Sequence, residues 1–340
     1  MCIRDRNTFR NIQFESLLDT LGMISHADIR SGLEEWSHPT PLPIYSLGRP
    51  EVTKITNRGQ ESFVLKMQVS NNSDYDGIIH IDIQGVGRSS QNDIDPRTSR
   101  KIPLEAHQTK ELVSVWEDAP RDVTVNTLIS GNLPSVINQP VGNIRQERRQ
   151  NIDAEGDFII SDSSFGTEGE IIVDNEDSTL FILSAPDVVG LLPKWLDKVE
   201  DTSFKYSGVS SWRPPLEWTA TTNANYYGKY IRSAYVIKSG NGSQTATWKI
   251  PVPSEGSYDA YYYVSKDNEL RYNDRAQGEY RFRIRQGEES EDAYINLRKA
   301  NEGWEQLGVY YFVADTAYIT LTNECKLRSV TADAVKLVKR

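Results

Sequence analysis

Cysteine is almost absent from this chain. Its 340 residues hold two, Cys2 and Cys325. Cys2 falls in a six-residue leader treated below, which leaves Cys325 alone. No internal disulfide framework is therefore expected, and no Cys/His cluster spells out a metal site. Histidine is nearly as scarce. The four present, His26, His38, His80 and His107, all lie in the first third. A hydrolase using histidine as its base is thereby excluded from the remaining two thirds. Long apolar runs are missing, and no stretch approaches the ~20 residues of a membrane helix. Basic charge is not in excess either: 38 Lys and Arg stand against 48 Asp and Glu, a net charge of -10. That balance argues against a nucleic-acid partner, which calls for a basic field. G-x-S-x-G, a glycine-rich phosphate loop and a dinucleotide fingerprint are all lacking. Acidic residues are plentiful, but nothing in the sequence sets two of them across a cleft as a glycosidase requires. No catalytic residue, no metal ligand and no cofactor is expected.

Aromatic residues are what the chain does have, including 17 Tyr and 7 Trp, enough for sizeable cores. The leader MCIRDR (residues 1–6) matches the translated end of a sequencing-library adaptor. We expect the native chain to begin upstream, with residues 7–37 a helical remnant of an upstream domain. In NTFRNIQFESLLDTLG, Phe14, Leu17, Leu18 and Leu21 share one helical face, and Gly22 is the expected stop. A second helix is expected from Ser25, with Ile29, Leu33 and Trp36 at i, i+4 and i+7.

Past the proline-rich SHPTPLPIYSLGRP the period changes to two. ESFVLKMQVS, IIHIDI, ELVSVW and DVTVNTLIS read as strands with one buried face, which predicts an immunoglobulin-like β-sandwich over residues 43–130. Residues 131–201 read as a connector with short strands and a short helix near Trp195. Its RQERRQ is either a solvated run or an anion patch. Its acidic turn, Asp174 to Asp177, is either an ordinary strand connection or an oxygen cluster for calcium without the regular loop spacing. From residue 202 to 340 the chain is strongly β. TATWKIPVP, YDAYYYV, EYRFRIRQ, LGVYYFV, AYITLTN and DAVKLVK predict a jelly-roll-like sandwich. GEESED reads as a solvated loop. The whole is mainly β: two β-sandwich domains after a short helical remnant.

Several motifs recur in order. Trp248 precedes a proline-bounded turn, and Gly256 with Tyr258 opens the next strand. Then come Trp304, Leu307, Gly308, Tyr310 and Phe312, and last Ala332, Asp333, Ala334, Val335 and Leu337. Together they resemble the golvesin C-terminal-like domains, also described as xanthan-lyase carbohydrate-binding-like domains, over residues 226–339. The resemblance implies a β-sandwich at the end of a bacterial extracellular or envelope protein, with sugar binding as an expectation. Helices ending in GLEEW, followed by LPIY and a sandwich, are similar to the exit from the catalytic region of aminopeptidase-N-like zinc metallopeptidases. The H-E-x-x-H motif of that family is absent here, so this resemblance implies an upstream catalytic domain in cis and no machinery in this chain.

The expected role is therefore a non-catalytic accessory region that binds a polysaccharide or cell-surface glycan; the alternatives are the bracing tail of a zinc peptidase and a structural spacer. Localisation is expected to be extracellular, periplasmic or cell-surface. Arg281, Arg283 and Arg285 alternate along one strand and should share one face. They either pair with acidic neighbours such as Asp259, Glu291 or Asp292, or form a cationic strip for an acidic polymer. Tyr261 and Tyr263 face away from Tyr258 and Tyr262, and with Tyr226 and Tyr227 are either sugar platforms or core. Trp304 is expected to be a core plug. Long-read sequencing of the source locus is expected to replace MCIRDR with an upstream frame; persistence of MCIRDR as a genuine start would refute the truncation.

Overall fold

The computed structural model describes residues 14–26, 29, 41–57, 60–86, 95–147, 154–161, 169–184, 205–209, 213–265 and 278–340. The leader, most of the second expected helix and the Trp195 segment lie outside them. Residues 1–42 form one unit and residues 43–340 another.

In the first unit, helix α1 spans Phe14–Ser25. It runs through Gly22, which was expected to end it. The stop is instead His26, whose φ of 55° is left-handed and whose N–H bonds the Gly22 carbonyl at 3.0 Å. An interior glycine costs a helix only about 1 kcal/mol, so it is a weak terminator.

The second unit holds two sandwiches. In the first, one sheet is built from β1 (Tyr45–Leu47), β2 (Glu51–Asn57), β3 (Gln60–Asn71), β6 (Thr109–Trp116), β9 (Arg145–Glu147) and β10 (Gly156–Ile160). Its partner sheet holds β4 (Gly77–Gln84), β5 (Ser99–Leu104), β7 (Asp122–Asn126) and β8 (Val136–Pro140). Alternation supplies the core between them: Leu65, Met67 and Val69 of β3 meet Ile79, Ile81 and Ile83 of β4, with Trp116 and Val123. Arg100 of β5 reaches across to Asp157 of β10 at 3.1 Å.

The second sandwich has a four-stranded sheet of β11 (Glu170–Val173), β22 (Val335–Lys339), β16 (Gly256–Val264) and β19 (Gly303–Phe312). Facing it is a five-stranded sheet of β12 (Phe181–Leu183), β15 (Thr245–Pro251), β20 (Thr316–Thr322), β17 (Glu279–Gln286) and β18 (Glu289–Asn296). A third sheet, β13 (Thr219–Thr222), β14 (Ser233–Lys238) and β21 (Ser329–Ala332), adds Ile237, Val330 and Ala332 to the same core. Every pairing in these sheets is antiparallel. Trp248, Tyr258, Tyr262 and Phe282 are its largest fully buried side chains.

Two expectations change. Residues 131–201 are more than a connector: β8, β9 and β10 join the first sandwich, while β11 and β12 are edge strands of the second. These strands are only three to five residues long, and the sheet each one joins is set by long-range pairing, which local pattern does not carry. GEESED is not a loop either. It makes a hairpin turn and opens β18, paired along its length with β17. The sandwiches are joined by backbone as well as chain: Leu133 bridges Ile231, donating to the Tyr230 carbonyl at 3.1 Å and accepting from Arg232 N–H at 2.6 Å.

Trp248 is fully buried, and its indole N–H donates to the Asp333 carbonyl at 3.2 Å. Trp248→Ala is expected to cost about 3–5 kcal/mol, read from the urea midpoint by far-UV circular dichroism. A loss below about 1 kcal/mol would mean that this core closes over the void.

Candidate functional site

Strands β16 and β17 face each other across the core, one from each sheet. Tyr262 meets Phe282 at 4.9 Å between ring centres and Tyr280 at 6.1 Å. Since both strands alternate, their other side chains leave on opposite outer faces. The candidate ligand residues therefore fall into two groups: Tyr261 and Tyr263 on the four-stranded sheet, Arg281, Arg283 and Arg285 on the five-stranded one.

The tyrosine group packs against itself and its loop. Tyr226 is 2% exposed. Tyr227, Tyr263 and Trp304 touch one another with ring centres 5.1–5.4 Å apart. Tyr261 lies under Lys336, whose Nζ is 5.2 Å from its ring and 4.9 Å from that of Trp304. Lys336 also pairs with Glu170 at 2.9 Å. The loop carrying Tyr226 and Tyr227 can lie this close because of Gly228, at φ 150°: a Cβ there would fall 1.9 Å from the Ile231 carbonyl oxygen. Burial pushes the Tyr227 hydroxyl up to about 12 and raises that of Tyr263. Tyr227, Tyr261, Tyr263 and Trp304 are half-buried, held against the loop and one another.

Beneath that loop lies Asp333, fully buried, whose carboxylate oxygens both accept from the Tyr227 N–H at 3.2 Å. Burial, then the nearby Asp174, raise its pKa well above the usual carboxylate range. Burial likewise pushes Asp174 up to about 8, against the N–H of Asn175. The acidic turn spends its oxygens locally. Asp174 accepts from Asn175 N–H at 2.7 Å, Asp177 from Asp174 N–H at 2.8 Å, and Glu176 from Lys205 at 2.6 Å and from the Ser233 hydroxyl. Among the described residues no group of three or more His, Cys, Asp or Glu side chains is arranged to hold a metal ion.

The arginine group is open. On β17 its residues alternate with buried Tyr280, Phe282 and Ile284. Arg281 donates to Asp292 and to Glu324, each at 3.0 Å, with Tyr294 5.9 Å away. Those bonds raise the Arg281 pKa, and Arg281 first, then Arg283, hold Asp292 below the usual carboxylate range. Arg285 lies 4.5 Å from the Tyr318 ring. Arg283 stands between them, opposite Thr320 on one side and Asp292 on the other. Of the acidic partners expected from sequence, Asp292 does pair. Asp259 is taken by Arg340 at 2.8 Å, and Glu291 sits opposite Ile284. Pairs this exposed add little to stability; the strand, anchored by its buried side, holds the row.

Sequence reasoning missed the residues around the row. Tyr294, 54% exposed, comes from β18, and Tyr318 and Thr320 from β20. Thr247 of β15 shares a 3.0 Å hydrogen bond with Thr320. Their signal was present: Ala317, Ile319 and Leu321 are buried, so the residues between them had to face outward.

Residues 209–339 match the Golvesin C-terminal domain model, a wider span than the motifs alone suggested. The motif residues explain why such a match reports fold: Trp248, Tyr258, Phe312 and the Ala332–Val335 run are all buried. Among solved structures, the chain is similar to a Paenibacillus xanthan lyase at 16% identity and TM-score 0.36, covering 89% of this chain and 27% of that one. It is also similar to a Podospora anserina GH26-CBM35 β-(1,4)-mannanase at 14% identity and TM-score 0.29, covering 51% and 28%. The chain thus spans little more than a quarter of either protein's length. No curated protein matches it in sequence. No helix among the described residues is long and apolar enough to cross a membrane.

The raised carboxyls give a pH dependence. Asp174 binds its proton more tightly folded than unfolded. The stability this contributes is complete below the unfolded value of 3.8 and is lost as pH rises through about 8. Urea midpoints are expected to fall between about pH 4 and pH 8, and Asp174→Asn to flatten that fall. An unchanged slope in the variant would remove Asp174 as its source.

Proposed function

We propose that this chain is a non-catalytic accessory region of a larger bacterial secreted or envelope protein. Its second sandwich binds a polysaccharide or cell-surface glycan on the outer face of the five-stranded sheet. One observation carries the reading: that face gathers an exposed Tyr294, the Tyr318–Arg285 stack and the Thr247–Thr320 hydroxyl pair around a row of arginines. Sugars offer flat C–H faces to aromatic rings and hydroxyls to fixed donors and acceptors, and a sheet face with both suits an extended chain. The catalytic domain in cis and the extracellular location belong to this proposal.

The backbone bridge between Leu133 and Ile231 favours a second reading, in which the two sandwiches are a rigid brace for an upstream domain. Affinity electrophoresis of the 340-residue chain through gels containing xylan, galactomannan or polygalacturonate separates the two. Retardation in at least one gel is expected, weakened about tenfold by Tyr294→Ala with the unfolding midpoint unchanged. Free migration in all three supports the brace and sinks the glycan reading.

A further inference from the structure

The three arginines of the row are not equivalent, and their differences point to a chemical class of ligand. Two carboxylates reach the row, Asp292 and Glu324, and both make their shortest bonds to Arg281. Arg281 is thereby closed at both ends of its guanidinium. Arg285 is turned aside, with one Nη donating to the Gly287 carbonyl at 3.3 Å and its plane over Tyr318. Arg283 is the exception. Its side chain is 60% exposed, and its one hydrogen bond among the described residues is a long one, from Nε to Asp292 at 3.4 Å. Its paired Nη donors have no partner there. They stand on the outer face of β17, with Thr320 beside them and Arg281 and Arg285 before and after on the strand.

A planar pair of parallel N–H donors matches the two oxygens of a carboxylate, and such bidentate pairs are among the stronger polar contacts available at a surface. The neighbouring cations leave the row short of negative charge even after Asp292 and Glu324 are counted. The flanking hydroxyls and rings suit a sugar around that carboxylate, where a bare acidic peptide would leave them unused.

We propose that this face selects carboxylated glycans, polymers bearing uronate units, with the Arg283 guanidinium as the carboxylate receptor and Arg281 as a positioning residue that anchors Asp292 and Tyr294. The proposal rests on the glycan-binding reading above and adds to it the substrate class and the receptor. It involves no covalent step.

The test uses the full chain and two probes that differ in one group: polygalacturonate, and the same polymer with its carboxyls reduced to alcohols. Calorimetry is expected to give a dissociation constant about tenfold lower for the carboxylated form, with the preference shrinking as salt rises. Arg283→Ala is expected to bring the two probes within about twofold of each other while the thermal midpoint stays unchanged. Arg283→Lys, which keeps the charge but not the fork, is expected to restore only part of the preference. Equal binding of both probes by the wild type would overturn the carboxylate proposal and leave glycan binding standing. No binding of either probe would overturn the carboxylate proposal, and the glycan reading falls with it only if xylan and galactomannan also fail to retard the chain. Poly-glutamate binding as tightly as polygalacturonate would overturn the glycan selectivity and identify an acidic-protein contact instead. If Arg283→Ala unfolds, Arg283→Gln, which keeps length and polarity, supplies the same comparison.

Discussion

What the second sandwich presents outward depends on how Tyr262 sits inward. Its ring lies against Trp248, Tyr280 and Phe282, with centres 4.9–6.1 Å apart, and its hydroxyl donates to the Thr331 carbonyl at 2.5 Å. A buried hydroxyl left without a partner costs about 1–3 kcal/mol, so this bond holds the ring in one place. That contact fixes β16 against β17. Slipping β17 by one residue would drive Arg281, Arg283 and Arg285 into the core and expel Tyr280, Phe282 and Ile284. The register of the arginine row is thus set by buried aromatic contacts on the other side of its strand. The row stays in place whether or not its ion pairs form.

The same logic links the domain to its neighbour. Asp333 belongs to the golvesin-like motif yet is buried, and its carboxyl holds the N–H of Tyr227. The loop pinned there continues to Ile231, which pairs with Leu133 of the first sandwich. A polar group at the base of one sandwich therefore fixes the segment on which the other docks. Such a carboxyl is tolerable in the interior because it can stay protonated, which removes the cost of an unpaired charge.

Strands with one buried face were legible wherever alternation was strict. β3, β4, β16 and β17 lie where their apolar positions indicated, because burial on one side is what produces that pattern. β2, reading EVTKITN, and β18, opening ESED, were hidden, since edge or polar residues mask the period. At the site, alternation identified which side chains share a strand face but not which sheet each strand joins. That information sits in pairings such as β17 with β20 and β16 with β22, which are long-range. Hence Tyr261 and Arg283, close in sequence pattern, leave on opposite faces of the second sandwich.

A net charge of -10 would by itself repel an acidic polymer. The objection weakens once distance is considered. At physiological ionic strength the Debye length is about 8 Å, close to the ~7 Å between alternate residues on one strand face. Solvent-exposed charges farther off than one Debye length are largely screened. What a ligand on the five-stranded sheet meets is the local set: Arg281, Arg283, Arg285 and Lys249, which sits on β15 opposite Tyr318, against Asp292 and Glu324. Within it, the carboxylates that would repel a ligand are already turned toward Arg281. Net charge governs solubility and long-range encounter; the polarity of this face is decided by which guanidinium group its two carboxylates hold.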